Sequence, residues 1–149
     1  MNNLITSIGL MSGTSSDGID ASIIESDGEN EVNFLGNQFF PYDKKIKIKI
    51  RSLKEKINLI QDLEKNKFEI QSLEREITLL HAKTVDLIIQ KFLIDKSKID
   101  LVGFHGHTIF HSFKDKKTKQ IGDGRLLSQL SNLNIVNNFR EKDFINGGQ

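Results

Sequence analysis

The chain has 149 residues, about the length of one domain, and its 21 basic and 20 acidic residues leave a formal net charge of +1. A nearly neutral chain has no global field that would attract nucleic acid or an anionic membrane, so we expect neither partner. The absence of cysteine excludes disulfide bonds and thiolate metal sites and suits the reducing cytoplasm. The N-terminal apolar stretch is too short and interrupted for a signal peptide or membrane span, which predicts a soluble cytoplasmic protein.

The first forty residues predict three consecutive strands. Residues 4–11 and 21–26 are short apolar runs, and the second is rich in β-branched residues. A hairpin dipeptide, Asp27-Gly28, separates the second run from a third strand at residues 32–42. We therefore expect the chain to open as a three-stranded antiparallel meander.

The period of the apolar residues changes after the meander. Across residues 43–93 they recur at helical spacing and predict two helices. The run KKIKIKIR at residues 44–51 allows two interpretations. Its alternation fits the start of a strand, whereas the acidic residues that follow cancel its charge and favour a solvated basic helix face.

The last third of the chain predicts shorter elements. Residues 100–105 form an apolar strand that opens onto Gly106, and residues 108–113 return as its partner across a lysine-rich turn at 114–119. A helical pattern at 122–133 and a short strand at 134–139 follow. This order of elements predicts the α/β class, with helices packed on a mixed sheet.

The connection between the first two strands, MSGTSSDGID, is the first candidate for ligand binding. Its two glycines have the spacing of a P-loop, but Ile19 and Asp20 stand where lysine and a hydroxyl residue are required, and a strand follows instead of a helix. A hairpin loop with glycines and hydroxyls can still approach phosphate oxygens closely. Asp17 and Asp20 would repel phosphate unless magnesium lies between them. An ordinary polar hairpin loop is the alternative.

Three further segments contain groups suited to chemistry. On a strand, His105, His107 and His111 would face one side and could ligate zinc, although no carboxylate or thiol is well placed to complete the set; solvated or hydrogen-bonded histidines are the alternative. In QIGDGRLL, Asp123 is suited to cap the following helix. The charge run at residues 140–143, within VNNFREKDFINGGQ, is typical of a surface loop.

Taken together, these four segments resemble the anhydro-N-acetylmuramic acid kinase family. IGLMSGTSSDGID is similar to the family's N-terminal signature, with Ser16 where leucine is usual. FHGHT resembles an HGQT stretch in which His107 replaces the usual glutamine. QIGD and the final F-R-x-x-D followed by GGQ resemble the family's later motifs, and Gly124 replaces the proline that commonly follows QIGD. All four fall in the family's order.

The resemblance implies an actin-like, ribonuclease H-like fold, shared with Hsp70 and hexokinase, and an N-terminal lobe whose second lobe is absent. It also implies an ATP- and Mg²⁺-dependent kinase that hydrolyses and phosphorylates 1,6-anhydro-N-acetylmuramic acid to N-acetylmuramic acid 6-phosphate in peptidoglycan recycling. The residues it implies for ATP are Gly13, Thr14, Ser15, Ser16, Asp17, Gly18, Ile19 and Asp20, with Asp17 or Asp20 at the magnesium. The residues it implies for the sugar are His105, Thr108, Asp123 and Arg140, and Asp143 is the base that activates water.

A lobe that lacks its partner should bind nucleotide weakly, because enclosure and convergent groups create affinity. We therefore expect the chain to need a separately encoded second lobe, or to form a homodimer. The alternatives are a non-catalytic remnant or sugar-binding module of the same family, and a zinc-binding module at the three histidines.

Overall fold

The computed structural model describes residues 4–148, so Gln149, the last residue of the fourth motif, lies outside the described residues. The elements in chain order are β1 (Ile5–Ser12), β2 (Gly18–Ser26), β3 (Val32–Pro41), α1 (Lys44–Lys56), α2 (Ile60–Lys65), α3 (Lys67–Lys91), β4 (Leu101–Ser112), β5 (Lys117–Ile121), α4 (Gly124–Ser131), β6 (Ile135–Asn137) and α5 (Phe139–Ile145). A 3₁₀ helix, Lys96–Lys98, precedes β4. None of the helices in this part of the chain combines the length and apolarity needed to cross a bilayer.

The strands form one mixed sheet in the order β3-β2-β1-β4-β5, and β6 also pairs with β4. The meander β1-β2-β3 is antiparallel, whereas β4 runs parallel to β1. On the side away from β1, β4 has two partners. Its first half pairs with β6 and its second half pairs with β5. The predicted α/β class, the opening meander and the flanking helices are confirmed, and the arrangement is consistent with an actin-like fold.

The core lies between the sheet and the helices α1 and α3. Alternate residues of β1, including Ile8 and Leu10, are buried, as expected for a strand with one covered face. From α1, the side chains of Ile46, Ile50 and Leu53 are buried at helical spacing. The helices thus cover one face of the meander, and the end of β1 and the loop after it lie next to α1.

The helical region contains three α-helices instead of the two predicted. The KKIKIKIR run is helical, so its interpretation as a strand was wrong. Asp43 explains the outcome, because its carboxylate accepts a hydrogen bond from the Ile46 backbone N–H (2.8 Å) and caps the first turn. Ile57, in an extended conformation, ends α1 and separates it from α2.

The predicted end of a strand before Gly106 was also wrong. β4 is a continuous strand of 12 residues, and its register with β1 shifts between the pairs Leu10 with Phe104 and Ser12 with His107. Gly106, with φ of +74°, therefore forms a bulge where the sequence suggested a break between two strands. The lysine-rich segment predicted as a turn does turn at residues 113–116, and its second half belongs to β5, which is the true partner of the second half of β4.

Towards the C-terminus, the predicted helix and short strand appear as α4 and β6, and the Asp123 carboxylate caps α4 by accepting a hydrogen bond from the Leu126 N–H (2.9 Å). The charge run at residues 140–143 was predicted as a surface loop, but it forms α5. Asn138, with φ of +62°, turns the chain between β6 and this helix.

Replacing Gly106 with alanine should destabilise the fold strongly. A Cβ there would lie 2.4 Å from the Ile121 carbonyl oxygen, and that oxygen belongs to the backbone of a paired strand. We expect the free energy of unfolding to fall by more than about 3 kcal/mol, the sum of left-handed strain and the clash.

Gly28→Ala is the matched control, since Gly28 has a similar φ of +79° with nothing within 4 Å of the added atom. It should cost about 1 kcal/mol, the left-handed strain alone. Urea unfolding of both variants measures the difference, and equal losses would contradict the role of the bulge.

Candidate functional site

Residues 13–17 join β1 to β2 as a compact turn, which we call the phosphate loop after the role that the sequence analysis predicts for it. The Ser16 N–H donates to the Gly13 carbonyl (3.0 Å), and the Tyr42 N–H donates to the Asp17 carbonyl (2.8 Å). Ser16 adopts a left-handed conformation with φ of +60°, which is unfavourable for a residue other than glycine. Thr14 and Ser15 are exposed, whereas the Ile19 side chain is buried in the core and could offer a ligand only its backbone.

A buried hydrogen-bond network lies under the phosphate loop. The Tyr42 hydroxyl donates to Ser12 Oγ (2.8 Å), and Ser12 Oγ lies 2.9 Å from His107 Nδ1. The other ring nitrogen, Nε2, lies 3.3 Å from Ser16 Oγ. Ser16 and His107, the two positions that differ from the family's usual residues in the first two motifs, therefore contact each other.

Burial perturbs both titratable members of this network. Desolvation raises the pKa of Tyr42 to about 12, against a smaller opposing effect of its hydrogen bond with Ser12. Burial also lowers the pKa of His107 to about 4, assisted by the nearby charge of Lys54 and against a smaller opposing effect of a backbone hydrogen bond with Ser12. At neutral pH both side chains are therefore uncharged, and His107 acts as a neutral hydrogen-bonding group.

A cavity of about 310 Å³ opens between the phosphate loop and α1. Its basic side chains, Lys47, Arg51 and Lys54, are spaced so that they share one face of the helix. The Lys54 ammonium donates to the Thr14 carbonyl (3.0 Å). The residues that line the cavity are Thr14, Ser15, Ser16, Asp17, Lys47, Arg51, Lys54 and Glu55.

The sequence analysis missed these cations as site residues. The basic run of α1 was interpreted as a solvated face, but one stripe of it is turned towards the loop. The i, i+4, i+7 spacing of Lys47, Arg51 and Lys54 was the available signal. The spacing alone does not show which way this basic stripe faces, because its orientation is set by the packing of the apolar stripe of α1 on the sheet.

The two candidate magnesium ligands differ in their surroundings. Asp17 lies 3.9 Å from the Lys47 ammonium, on the side of α1. The Asp20 side chain is exposed on β2 and has no hydrogen bond or ion pair with any residue between 4 and 148, and it shares a sheet face with its strand partners Met11 and Phe39, away from α1. Magnesium that is bound together with phosphates needs only one or two carboxylates, and Asp17 is the candidate that lines the cavity.

A second cavity, of about 470 Å³, lies where β5 and β6 part from the edge of β4. Of the predicted sugar-binding residues, His105 and Arg140 line it. Two carboxylates that the sequence analysis did not select, Glu74 and Glu141, line it as well. Glu74 Oε1 accepts a hydrogen bond from the Gly122 N–H (3.0 Å), so this carboxylate also fixes the loop before α4.

The other predicted residues lie outside the lining of this cavity. Thr108 Oγ1 accepts a hydrogen bond from Gln120 (3.2 Å), and Asp123 caps α4. Asp143 is exposed on α5, and its carbonyl accepts a hydrogen bond from the Gly148 N–H (2.8 Å). The structure thus brings His105 and Arg140 together at the cavity, but not Thr108, Asp123 or Asp143.

The three histidines considered for zinc are not arranged as a metal site. His107 uses both ring nitrogens within the buried network, whereas His111 is exposed further along β4. Across residues 4–148, no group of three or more histidine, cysteine, aspartate or glutamate side chains is close enough to hold a metal ion. The zinc interpretation was therefore wrong for this part of the chain.

Comparisons with known proteins agree with the motifs. A family profile described as anhydro-N-acetylmuramic acid kinase matches residues 5–149. A protein of that name from Pelagibacter ubique is 52% identical over 149 residues, and the match covers 100% of this chain and 39% of that protein. Those from Rhizobium etli and Paramagnetospirillum magneticum are each 37% identical, over 97% and 95% of this chain and 39% and 37% of theirs.

The chain therefore spans about two fifths of the length of the relatives that it matches. The match nevertheless includes both the phosphate loop and the larger cavity, because it extends over nearly all of the chain. On this basis the chain belongs to the anhydro-N-acetylmuramic acid kinase family.

Proposed function

We propose that this chain supplies the phosphate loop and part of the sugar site of an ATP-dependent kinase that converts 1,6-anhydro-N-acetylmuramic acid to N-acetylmuramic acid 6-phosphate. The observation that carries the proposal is the cavity between the phosphate loop and α1, where hydroxyl groups and three cations surround a space large enough for phosphate groups. Phosphoryl transfer depends mainly on positioning and on charge stabilisation, which such a surface provides.

In this proposal, residues Gly13 to Asp20 approach the phosphates of ATP, and Lys47, Arg51 and Lys54 add positive charge from α1. Magnesium bound with ATP would neutralise phosphate charge. Of the two candidate carboxylates, Asp17 lines this cavity and is the one that would hold the ion. These groups bind and orient the nucleotide, and the chemistry of transfer needs little more from the protein.

The larger cavity is proposed to hold the sugar, with Arg140 and His105 as its polar contacts. Thr108 and Asp123 keep their proposed roles through the shape of the cavity wall, because both hold segments next to it. Asp143 accepts a proton from water as the water attacks the anomeric carbon and the bond from that carbon to O6 breaks. The freed O6 attacks the γ-phosphorus of ATP while ADP leaves.

We also propose that catalysis requires a second lobe, supplied by a separately encoded polypeptide or by an equivalent surface of a second copy. Apolar side chains on the sheet face opposite α1 and α3 support this proposal, because large exposed apolar surfaces usually mark an interface. The exposed members are Ile5, Met11, Phe34 and Phe39. We place the reaction in the cytoplasm, where ATP is available.

A chimera tests the proposed function. This chain would replace the matching segment of the Pelagibacter ubique relative, to which it is 52% identical. We expect the chimera to form N-acetylmuramic acid 6-phosphate from ATP and the anhydro sugar, as measured by mass spectrometry, and the chain alone to form little. If the chimera folds and is inactive while the parent relative is active, the kinase proposal fails. Sugar binding by that inactive chimera would favour the sugar-binding module.

Arg51→Gln should weaken phosphate binding about five- to tenfold, since it removes one cation from the cavity and no described residue pairs with Arg51 in the fold. Titration calorimetry with magnesium tripolyphosphate measures the effect at two salt concentrations. Lys45→Gln is the control, because Lys45 is exposed on the same helix and does not line the cavity. Equal phosphate affinity of the two variants would show that Arg51 does not belong to the proposed phosphate site.

A further inference from the structure

The hydrogen bond from Tyr42 to Ser12 sets a direction for the network beneath the phosphate loop. The Tyr42 hydroxyl donates to Ser12 Oγ, so the proton of Ser12 is left to donate to His107 Nδ1. His107 Nε2 must then carry the ring proton and donate it to Ser16 Oγ. Ser16 in turn donates to the Thr14 carbonyl (3.4 Å). Each donor in this series of hydrogen bonds therefore has an acceptor.

With Tyr42 as the donor to Ser12, only one form of His107 satisfies this network. If the ring were protonated on both nitrogens, Ser12 Oγ would receive protons from both Tyr42 and His107, and its own proton would lose its acceptor. Reversing the tautomer creates the same conflict at Ser12. The neutral imidazole with its proton on Nε2 is therefore the form that this fold selects, in agreement with the burial of the side chain, which is 0% exposed.

His107 is bonded to both ends of the phosphate loop. Ser12 is the last residue of β1, just before the loop, and Ser16 lies near the loop's end in its left-handed conformation. The hydrogen bond from His107 offsets part of the unfavourable backbone energy of Ser16. On β4, His107 is two residues from His105, which lines the larger cavity. The ring thus links the loop to the strand that borders the second cavity.

We propose that His107 is a positioning residue, which through its neutral Nε2–H tautomer holds Ser12 and Ser16 so that the phosphate loop keeps the shape that receives phosphate. The part that concerns phosphate rests on the proposed function; the part that concerns the tautomer and the loop conformation does not. A side chain with one acceptor and one donor in similar positions should replace it, and an apolar side chain of similar size should not.

Two variants separate these cases. His107→Gln retains an acceptor for Ser12 and a donor for Ser16, whereas His107→Leu retains neither. Long-range ¹H–¹⁵N spectra of the 149-residue chain should show His107 with its proton on Nε2 throughout pH 6 to 8. A His107 proton on Nδ1, or a mixture of tautomers, would overturn the proposal whether or not the chain binds phosphate.

The binding measurement tests the consequence. We expect His107→Leu to weaken the affinity for magnesium tripolyphosphate about tenfold or more, and His107→Gln to stay within about threefold of the original chain. In the active chimera, the same variants should raise the KM for ATP in the same order. His111→Gln, at an exposed position on the same strand, is the control and should change neither quantity.

A failure to fold and a failure to bind give different results. If His107→Leu does not fold, the tautomer of His107 and the phosphate affinity of His107→Gln test the proposal. A His107→Gln variant that folds but loses phosphate binding would overturn it. If the original chain binds no tripolyphosphate and the chimera is inactive, the proposed function fails. The Ser16 amide shift, unchanged in His107→Gln and displaced in His107→Leu, then supports the positioning role, and equal shifts in both variants would refute it.

Discussion

Lowering the pH from 7 to 4 is expected to destabilise the fold by about 6 kcal/mol, because two buried histidines must stay neutral. His81 is fully buried, and its Nδ1 donates to the Ile77 carbonyl (2.8 Å). Desolvation lowers the pKa of His81 from 6.5 to about 4, although that hydrogen bond acts in the opposite direction. Burial has the same effect on the pKa of His107.

The direction follows from proton binding. Between pH 6.5 and 4 the unfolded chain binds protons at these histidines and the folded chain does not, so stability rises with pH across this window. The stabilisation is fully present above pH 6.5 and is lost as the pH falls towards 4. A change in pKa from 6.5 to about 4 corresponds to about 3 kcal/mol for each histidine.

Urea unfolding at several pH values measures this loss. The carboxyl groups of Asp62 and Asp95 have pKa values below 3.8, because each accepts hydrogen bonds, so their contributions change mainly below the window. His81→Leu and His107→Gln should each flatten the pH dependence by about half. A double variant at His81 and His107 with the original pH dependence would contradict the assignment.

Asp143→Asn is expected to have the largest effect on catalysis. In the active chimera it should lower kcat by about 10² to 10⁴, because asparagine cannot accept the proton of the attacking water. The stability of the chain should change little, since Asp143 is exposed and its hydrogen bond with Gly148 uses the backbone carbonyl. Formation of N-acetylmuramic acid 6-phosphate at saturating ATP measures the effect.

Asp86→Asn is the control for this variant, because Asp86 is exposed on α3 and pairs only at the surface with Lys96 (3.2 Å). It should retain full activity. Unchanged activity of Asp143→Asn would refute Asp143 as the base. Glu74 and Glu141 would then be the next candidates, since both carboxylates line the larger cavity.

The position of Asp143 shows where sequence reasoning reached its limit. The motif selected this residue by resemblance, but the structure sets it on the exposed side of α5, while its neighbours in sequence, Arg140 and Glu141, line the cavity. A linear motif gives the order of residues, whereas the helix decides which of them share a face. The charge run was predicted as a loop because its sequence carries no strong helical period.

The sequence by itself determined the local features. Alternating apolar residues and the Asp27-Gly28 dipeptide specified the antiparallel meander, and Asp123 specified the cap of α4. The small polar residues between β1 and β2 specified a hairpin loop in place of a P-loop helix. These features depend on neighbours close in the chain, so local propensity and turn chemistry were sufficient.

Only the tertiary structure decided how distant residues act together. His107 and Ser16 are 91 positions apart, and they meet because β4 lies parallel to β1. The basic stripe of α1 reaches the phosphate loop because the neighbouring apolar stripe is buried against the sheet. Both arrangements follow from the packing of whole elements on one core, a long-range effect that no local pattern in the sequence contains.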